Sequence, residues 1–260
     1  MVCIPKMLTI YRFKEAEDMI NGKEIIRIEN VSTVYEGENR AALRDISLSI
    51  KENELVYIIG PNASGKTTLL ETINGLLNPF KGSIFVSGLN IKKHGRYLRT
   101  EIGYVPQDFM VEPGEPYLAH DVVVMGRYGK MGVLNKPSKR DREKAHNTMK
   151  MLEIDELSNR PMGKLSGGQQ QKVMIARALA KEPSILLMDE PFSNLDPESK
   201  RKIPELITEI HEKNGLTTII VTHETHRMIK SCTRALVLDN GRIIADEIPE
   251  KALQTLETYS

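Results

Sequence analysis

The chain has 260 residues, of which 40% are hydrophobic and 27% are charged, and its 36 Lys and Arg almost balance its 35 Asp and Glu. This composition excludes a largely disordered chain, and the formal net charge of +1 lacks the basic excess of proteins with a general attraction for nucleic acid. No run of about 18 consecutive apolar residues occurs in the sequence, which excludes a membrane-spanning helix.

Residues 1–22 form an extension ahead of the first predicted strand. Two interpretations stay open: a loosely held, disordered segment, or translation from a start codon upstream of the true one at Met7 or Met19. The apolar run in this extension is too short for a signal peptide. Only two cysteines, Cys3 and Cys232, are present, so there is no disulfide framework. We therefore expect a cytoplasmic protein.

Strands and helices alternate along the rest of the chain. The strand Ile25–Ile28 is followed by the unbroken apolar run Leu55–Ile59, which is typical of a parallel strand covered on both faces. The runs Ile185–Met188 and Thr218–Val221 repeat this pattern, with helical sequence between them. The alternation predicts an α/β fold in which helices cover both faces of a parallel sheet. The helix after Leu55–Ile59 is predicted to have an apolar face made of Leu69, Leu70, Ile73, Leu76 and Leu77.

The stretch from about residue 108 to residue 165 interrupts this alternation. It contains four prolines, and its periodic parts are helical. Ser138 and Asp141 make a capping-box start, and Ala145 and Met149 follow at helical spacing. This pattern predicts a helical subdomain inserted between two halves of the α/β core.

A glycine-rich loop follows the strand Leu55–Ile59, and it reads Gly60-Pro61-Asn62-Ala63-Ser64-Gly65-Lys66-Thr67, in agreement with G-x-x-x-x-G-K-[ST]. The glycines let the backbone curl with its N–H groups inward, and the following helix adds the positive end of its dipole. Lys66 adds a full charge, and two unit charges about 4 Å apart interact by roughly 4 kcal/mol at an effective dielectric near 20. Thr67 offers a hydroxyl to Mg²⁺. The loop therefore predicts a triphosphate site.

An acidic pair, Asp189-Glu190, closes the strand that begins at Ile185. The carboxyl ends of parallel strands are where ligands bind in open α/β sheets. Asp189 can hold Mg²⁺ there through its water shell, and Glu190 can orient or deprotonate a water that attacks the γ-phosphate. Taken alone, the pair is equally typical of an acidic turn, and the neighbouring phosphate loop favours the catalytic interpretation.

A second glycine-rich turn, Leu165–Gln171, precedes a predicted helix from Lys172 to Lys181. Ser166 suits the N-cap position, and the two glycines after it leave the first amides of the helix uncovered. The turn can therefore serve as a second anion-binding helix terminus. Taken alone, its pattern is more typical of an ordinary capped helix.

Together these motifs resemble the ATP-binding subunits of ABC transporters, in that family's order and over nearly all of residues 25–253. Gly60–Thr67 resembles the Walker A loop, Leu165–Gln169 the signature sequence and Ile185–Glu190 the Walker B strand. Four further matches complete the resemblance: the adenine-stacking aromatic Tyr35, the loop glutamine Gln107, the D-loop Ser193–Asp196 and the switch histidine His223.

The resemblance implies a P-loop NTPase core with a mostly parallel sheet, an antiparallel β subdomain and the inserted α-helical subdomain, in one ABC ATPase domain of residues 23–255. It implies ATP and Mg²⁺ as cofactors and a homodimer that sandwiches ATP. The implied nucleotide-binding residues are Tyr35, Gly60, Pro61, Asn62, Ala63, Ser64, Gly65, Lys66, Thr67 and Thr68. The implied catalytic residues are Gln107, Glu190 and His223, and the implied Mg²⁺ ligands are Thr67, Gln107 and Asp189. Residues implied to reach the partner's nucleotide are Ser166, Gly167, Gly168, Gln169 and Asp196.

The resemblance also implies a Mg²⁺-dependent ATPase at the cytoplasmic face of the membrane, working on a separate permease with a substrate-binding protein in the full complex. The segments Met125–Lys130 and Pro137–Arg142 look like those of subunits that serve zinc, manganese or iron importers, and those for iron chelates and cobalamin are similar. We therefore expect uptake of a metal ion or metal chelate. A non-metal cargo, a soluble ABC ATPase unconnected with transport and a nucleotide-binding module without turnover are the alternatives.

Three details depart from the simplest expectation. Ala63 stands where the family commonly has glycine, which is tolerated if its φ is negative. Pro204 falls inside a predicted helix and is expected to kink it. Four other histidines, His94, His120, His146 and His211, are expected to be solvated.

Overall fold

The computed structural model describes residues 22–38, 40–107, 114–132, 135–193, 195–224 and 228–259. The predicted N-terminal extension therefore lies outside the described residues, except for Gly22. In the described part of the chain, no helix combines the length and apolarity needed to cross a bilayer.

The strands of the described residues form two sheets. A four-stranded antiparallel sheet has the order β2-β1-β4-β5, and a six-stranded sheet has the order β10-β9-β3-β8-β7-β6. The larger sheet is parallel except for β10, which pairs antiparallel with β9. The strands are β1 (Glu24–Thr33), β2 (Leu43–Lys51), β3 (Leu55–Ile59), β4 (Lys81–Val86), β5 (Leu89–Asn90), β6 (Ile102–Val105), β7 (Ile185–Asp189), β8 (Thr217–Thr222), β9 (Arg234–Asp239) and β10 (Arg242–Glu247).

Helices pack on both faces of the larger sheet, and several of them belong to the segment of the chain between β6 and β7. They are α1 (Lys66–Ile73), α2 (Ile91–Glu101), α3 (Ala119–Met125), α4 (Tyr128–Met131), α5 (Lys139–Met151), α6 (Gly167–Leu179), α7 (Pro197–Asn214) and α8 (Pro249–Tyr259). Short 3₁₀ turns occur at Asp155–Leu157 and Met162–Lys164. The mostly parallel sheet, the antiparallel sheet and the helical insertion confirm the predicted fold class.

Strand β3 shows how the sheet is buried on both sides. All five of its residues are buried, and successive side chains point to opposite faces. Tyr57 packs in the cluster that contains α6 and the helical insertion, whereas Ile58 packs in the cluster that contains α1 and the antiparallel sheet. The apolar runs of the sequence therefore predicted the parallel strands to within one residue at either end of β7 and β8.

Two helix predictions were wrong at their ends. Helix α1 stops at Ile73 because Gly75 takes the left-handed φ of 68° that commonly follows a helix, so Leu76 lies beyond the helix and is 51% exposed. Helix α6 begins at Gly167, before the predicted Lys172, because Ser166 and Gln169 form a reciprocal capping box that starts the helix at the glycines.

Helix α7 runs through Pro204 without interruption. It starts at an Asp196 N-cap with Pro197 in the first position, and it ends at the left-handed Gly215. The Thr208 hydroxyl donates to the carbonyl of Pro204 at 2.9 Å. The helix is therefore continuous through Pro204, which lacks an N–H to donate, and the kink expected there stays a prediction.

The described part of the predicted helical insertion contains α3, α4 and α5. The capping box at Ser138 and Asp141 is present, as predicted, and Ala145 and Met149 are buried. These two residues pack in the same cluster as Val173 of α6. The insertion is therefore packed on the helix that begins at the second glycine-rich turn.

Candidate functional site

The phosphate loop connects β3 to α1, and its geometry depends on Gly65. This residue caps α1 with φ of 104°, and a Cβ placed there would lie 2.8 Å from the carbonyl oxygen of Ala42. Only glycine accepts both the backbone angle and the close approach. No side chain caps the N-terminus of α1. Its first amides are therefore directed at the loop, where an anion would sit.

Lys66 lies inside the curl of this loop. Its side chain is buried, and Nζ donates to the carbonyls of Gly60 and Pro61, each at 2.9 Å. Burial lowers the pKa of Lys66, while the nearby carboxylates of Glu190 and Asp189 oppose that effect. The ammonium is thus held beside the loop amides, ready for phosphate oxygens.

Ala63 does not meet the condition set by the sequence. Its φ is +62°, in the left-handed region, where an L-residue other than glycine carries a cost of about 1 kcal/mol. The condition under which alanine would be tolerated without cost is therefore not met, and the loop holds a small strain at this position.

A cleft of about 760 Å³ opens above the loop. Most of the predicted nucleotide and catalytic residues line it, whereas Gly60, Pro61 and Asp189 are not part of its lining. The predicted residues that line the cleft are Tyr35, Asn62, Ala63, Ser64, Gly65, Lys66, Thr67, Thr68, Gln107, Glu190 and His223.

Tyr35 is tied to α1 through its hydroxyl. The oxygen lies 2.9 Å from Oγ1 of Thr68 and donates to Oε2 of Glu71 at 3.3 Å. Burial raises the pKa of Tyr35, and the Glu71 carboxylate adds to that increase. The ring is therefore held at one edge of the cleft, where a base could stack on it.

Asp189 is the best candidate for a Mg²⁺ ligand. It is 1% exposed, and the hydroxyl of Thr67 lies close enough to its carboxylate to donate a hydrogen bond that opposes the effect of burial on its pKa. Burial raises its pKa to about 6. No group of three or more His, Cys, Asp or Glu in the described residues could hold a metal ion alone. This set fits Mg²⁺, which binds through one or two protein groups together with waters and phosphates.

Glu190 is held by contacts from the adjacent strand. Its buried carboxylate accepts through Oε2 from the hydroxyl of Thr222 at 3.0 Å and from the backbone N–H of His223 at 3.3 Å. Oε1 lies 2.8 Å from Nδ1 of His223. The backbone of Glu190 has φ of 46°, and bonds to Val221 and Ser193 hold it in this strained conformation.

The second glycine-rich turn lies in a separate cleft of about 430 Å³, formed with the start of α7. Ser166, Gly168, Gln169 and Asp196 line this cleft, and none of them lines the larger one. A Cβ at Gly168 would lie 1.9 Å from Oγ of Ser199, so glycine permits the close contact of α6 with α7. Gly167 is the first residue of α6. Asn194 of the D-loop lies outside the described residues.

The β9–β10 turn also lines the larger cleft, although it was not among the predicted site residues. Asn240 and Gly241 both have positive φ, and the N–H of Gly241 donates to the carbonyl of Ser64 at 2.9 Å. The Asn-Gly pair between two apolar runs is a hairpin signal that could have located the turn. Its contact with the phosphate loop could not be predicted. Arg40 and Arg44 line the same cleft and were missed as well.

The expectation of solvated histidines holds for the exposed His94 and fails for the others. His120 and His146 are half-buried. His211 is half-buried with Nδ1 3.2 Å from Oγ1 of Thr218, and burial lowers its pKa.

Comparison with known proteins gives a consistent result. The family model described as "ABC transporter" matches residues 43–193. The "Manganese transport system ATP-binding protein MntB" of Bacillus subtilis (strain 168) is 41% identical over 199 residues, which are 76% of this chain and 77% of that protein. The "Sulfate/thiosulfate import ATP-binding protein CysA" of Mesorhizobium japonicum is 36% identical and covers 84% of this chain and 62% of its own length.

A solved structure supplies a second kind of similarity. The dimeric post-hydrolysis state of the ATP-binding cassette MJ0796, bound to ADP and Pi, superposes with a TM-score of 0.73 and 31% identity. The match covers 86% of this chain and 99% of that one.

Proposed function

This chain belongs to the ATP-binding proteins of ABC transporters, and we propose that it powers uptake of a metal ion by hydrolysing Mg-ATP as a homodimer on a separate membrane permease. ATP binding and ATP hydrolysis coupled to transport characterise the family. The cargo, the homodimer and the roles of individual residues are our proposal.

The separation of the two clefts carries the homodimer proposal. The phosphate loop lines the larger cleft, whereas Ser166, Gly168, Gln169 and Asp196 line the smaller one. In one copy the two helix termini therefore cannot bind the same phosphate. A second copy packed head to tail would bring the turn of one chain to the phosphate loop of the other. The dimeric form of the related cassette MJ0796 supports this arrangement.

The residues of the larger cleft suit binding of the triphosphate. Lys66 would exchange the carbonyls of Gly60 and Pro61 for phosphate oxygens, and the uncapped amides of α1 would bind the same oxygens. Tyr35, held by α1, would stack on the base.

Asp189 with Thr67 and Gln107 would hold Mg²⁺, which neutralises the charge that develops on the phosphates.

Glu190 and His223 would act on the attacking water. Glu190 would orient the water and accept its proton, since its carboxylate lies at the cleft wall. His223 lines the same cleft and would turn from Glu190 to the γ-phosphate when that group is bound. One side chain thus has two partners within reach, which suits a switch.

The variant Glu190→Gln tests this mechanism, because it keeps the size of the side chain and removes the base. We expect ATP affinity close to that of the native chain, very low turnover and an ATP-bound dimer in size-exclusion chromatography with Mg-ATP. The exposed Glu143→Gln on α5 is a control that should retain native turnover. Native turnover by Glu190→Gln would contradict the role of the carboxylate, and a solely monomeric Glu190→Gln would contradict the homodimer.

The metal cargo is proposed from the manganese transport relative, which is more identical to this chain than the sulfate relative. The complex would lie at the cytoplasmic face of the membrane, with a substrate-binding protein outside. Co-purification of this chain with a permease, followed by ATP-driven uptake of manganese into vesicles, tests this proposal. Uptake of sulfate without manganese would assign a non-metal cargo, and a chain that never associates with a permease would contradict the transport role.

A further inference from the structure

The carboxylate of Glu190 has a hydrogen-bond partner besides His223, and this partner lies on strand β8. Thr222 is the last residue of the strand and is fully buried. Its hydroxyl donates to Oε2 of Glu190 at 3.0 Å. A hydrogen bond from a hydroxyl to a buried carboxylate is charge-assisted and therefore strong.

The direction of this hydrogen bond is determined by a third group. The backbone N–H of Glu224 donates to Oγ1 of Thr222 at 3.0 Å. A hydroxyl has one proton to donate, and the bond from Glu224 uses one of its acceptor sites. The proton of Thr222 is therefore directed at Glu190. The Glu224 side chain is in turn paired with Lys200 of α7 at 3.0 Å, which holds this segment in place.

The two oxygens of Glu190 consequently have different partners. Oε2 accepts from the hydroxyl of Thr222 and from the backbone of His223, both of which belong to the end of β8. Within the described ranges, the hydrogen-bond partner of Oε1 is the imidazole of His223, a side chain that is 46% exposed and faces the larger cleft. One oxygen is bound by groups held in the sheet, and the other is bound by a group that can rotate away.

We propose that Thr222 is a positioning residue for ATP hydrolysis: its hydroxyl anchors Oε2 of Glu190, so that Oε1 remains aimed at the cleft when the imidazole of His223 leaves it for the γ-phosphate. This inference rests on the proposed role of Glu190 as the group that orients the water. Without the hydroxyl, Oε2 keeps only the longer bond from the backbone of His223 among the described contacts, so the orientation of the carboxylate is loosened while the nucleotide-binding residues are unaffected.

Strand β8 offers a matched control. Thr218 lies four residues before Thr222 on the same face of the strand, is equally buried, and its hydroxyl is 3.2 Å from Nδ1 of His211. It does not line the larger cleft. Thr218→Val removes a buried hydroxyl from the same strand and face, as Thr222→Val does, without touching Glu190.

The experiment compares steady-state ATP hydrolysis by the full chain and four variants, together with ATP affinity and thermal unfolding. For Thr222→Val we expect kcat to fall about 10-fold to 100-fold with KM within about twofold, because only the reacting geometry is loosened. Thr222→Ser retains the hydroxyl and should stay within about threefold of native kcat. Thr218→Val should keep native kcat with a similar fall in thermal midpoint. Glu190→Gln gives the reference for complete loss.

The outcomes separate this inference from the proposed function. Native kcat in Thr222→Val, or equal losses in Thr222→Ser and Thr222→Val, would overturn the role of the hydroxyl. A loss in Thr218→Val as large as in Thr222→Val would also overturn it, because the effect would then be one of strand stability. If Glu190→Gln retained turnover, the proposed role of Glu190 would itself be wrong. If Thr222→Val does not fold, Thr222→Ala is measured in its place, and native kcat in Thr222→Ala overturns the inference.

Discussion

The two glycine-rich helix termini of this protein are similar in sequence but differ in how their first backbone N–H groups are capped. At α1 the N-terminus has no side-chain cap, Lys66 is buried, and Ala63 holds a positive φ. At α6 the exposed Ser166 forms a capping box with Gln169, so the terminus supplies its own hydrogen bonds. The first terminus has no side-chain cap and lies at the larger cleft, whereas the second is capped by its own side chains and lies at the smaller cleft.

This difference supports the proposal that the α1 terminus binds phosphate in a single chain, whereas the α6 terminus acts only in an assembly. The α1 terminus gains hydrogen bonds and charge neutralisation that the protein alone does not provide. The α6 terminus already has its capping bonds and can offer a partner only the amides of its first glycines. The following predictions test this contrast, from the largest expected effect to the smallest.

Lys66→Ala removes the cation from the α1 terminus. We expect ATP affinity, measured by calorimetric titration, to fall by at least about 100-fold, because a charge close to the phosphates is lost. Lys81→Ala removes an exposed lysine that pairs with Asp45 and should leave the affinity unchanged. Unchanged affinity in Lys66→Ala would contradict the phosphate site.

Ser166→Arg places a bulky cation at the α6 terminus. A single chain should bind ATP as before, whereas turnover should fall by about 100-fold because the partner's phosphate can no longer be reached. A mixture of Ser166→Arg and Lys66→Ala chains contains mixed dimers with one intact composite site, so turnover should partly return. If mixed dimers form and no turnover returns, the head-to-tail arrangement is contradicted.

Asp189→Asn tests the cost of the buried carboxyl behind the α1 terminus. Because the folded pKa of Asp189 is raised to about 6, the folded chain keeps a proton that the unfolded chain releases near pH 4. The free energy of unfolding should therefore fall by up to about 3 kcal/mol as the pH rises between these values. Urea denaturation at pH 8 should show Asp189→Asn to be more stable by a similar amount.

The same variant should lose the added stability that Mg-ATP gives the native chain. Asp121→Asn, at a half-exposed position of α3, is the control. It should change neither the free energy of unfolding at pH 8 nor the stabilisation by Mg-ATP. A variant at Asp189 that is less stable at pH 8 would show that the carboxylate is satisfied in the folded chain.

Ala63→Gly should have the smallest effect. Relief of the left-handed strain stabilises the folded chain, while the greater freedom of glycine in the unfolded chain offsets part of the gain. We expect a change of less than about 1 kcal/mol in urea denaturation, in the stabilising direction. As a control, Ala145→Gly in the middle of α5 should lower the free energy of unfolding by about 1 kcal/mol. If Ala63→Gly also lowered the free energy of unfolding, the strain at Ala63 would be contradicted.

Local patterns predicted those parts of the site that depend on neighbours in sequence. The phosphate loop follows a strand whose five residues are all apolar, so both its position and its exposure at the sheet edge were predictable. The capping boxes at Ser138 and Ser166 depend on residues three apart and were predictable in the same way. Backbone angles at single positions, such as the positive φ of Ala63, were not.

The sequence by itself therefore determined the order of strands and helices, the phosphate loop and the acidic pair at the end of β7, because each is encoded by a short apolar period or a run of adjacent residues. Only the tertiary structure decided which distant groups meet. Strand β8 lies beside β7, which brings Thr222 and His223 to Glu190, and the β9–β10 turn reaches the carbonyl of Ser64. These contacts follow from the order of the strands in the sheet. That order cannot be predicted from patterns among residues that are neighbours in sequence.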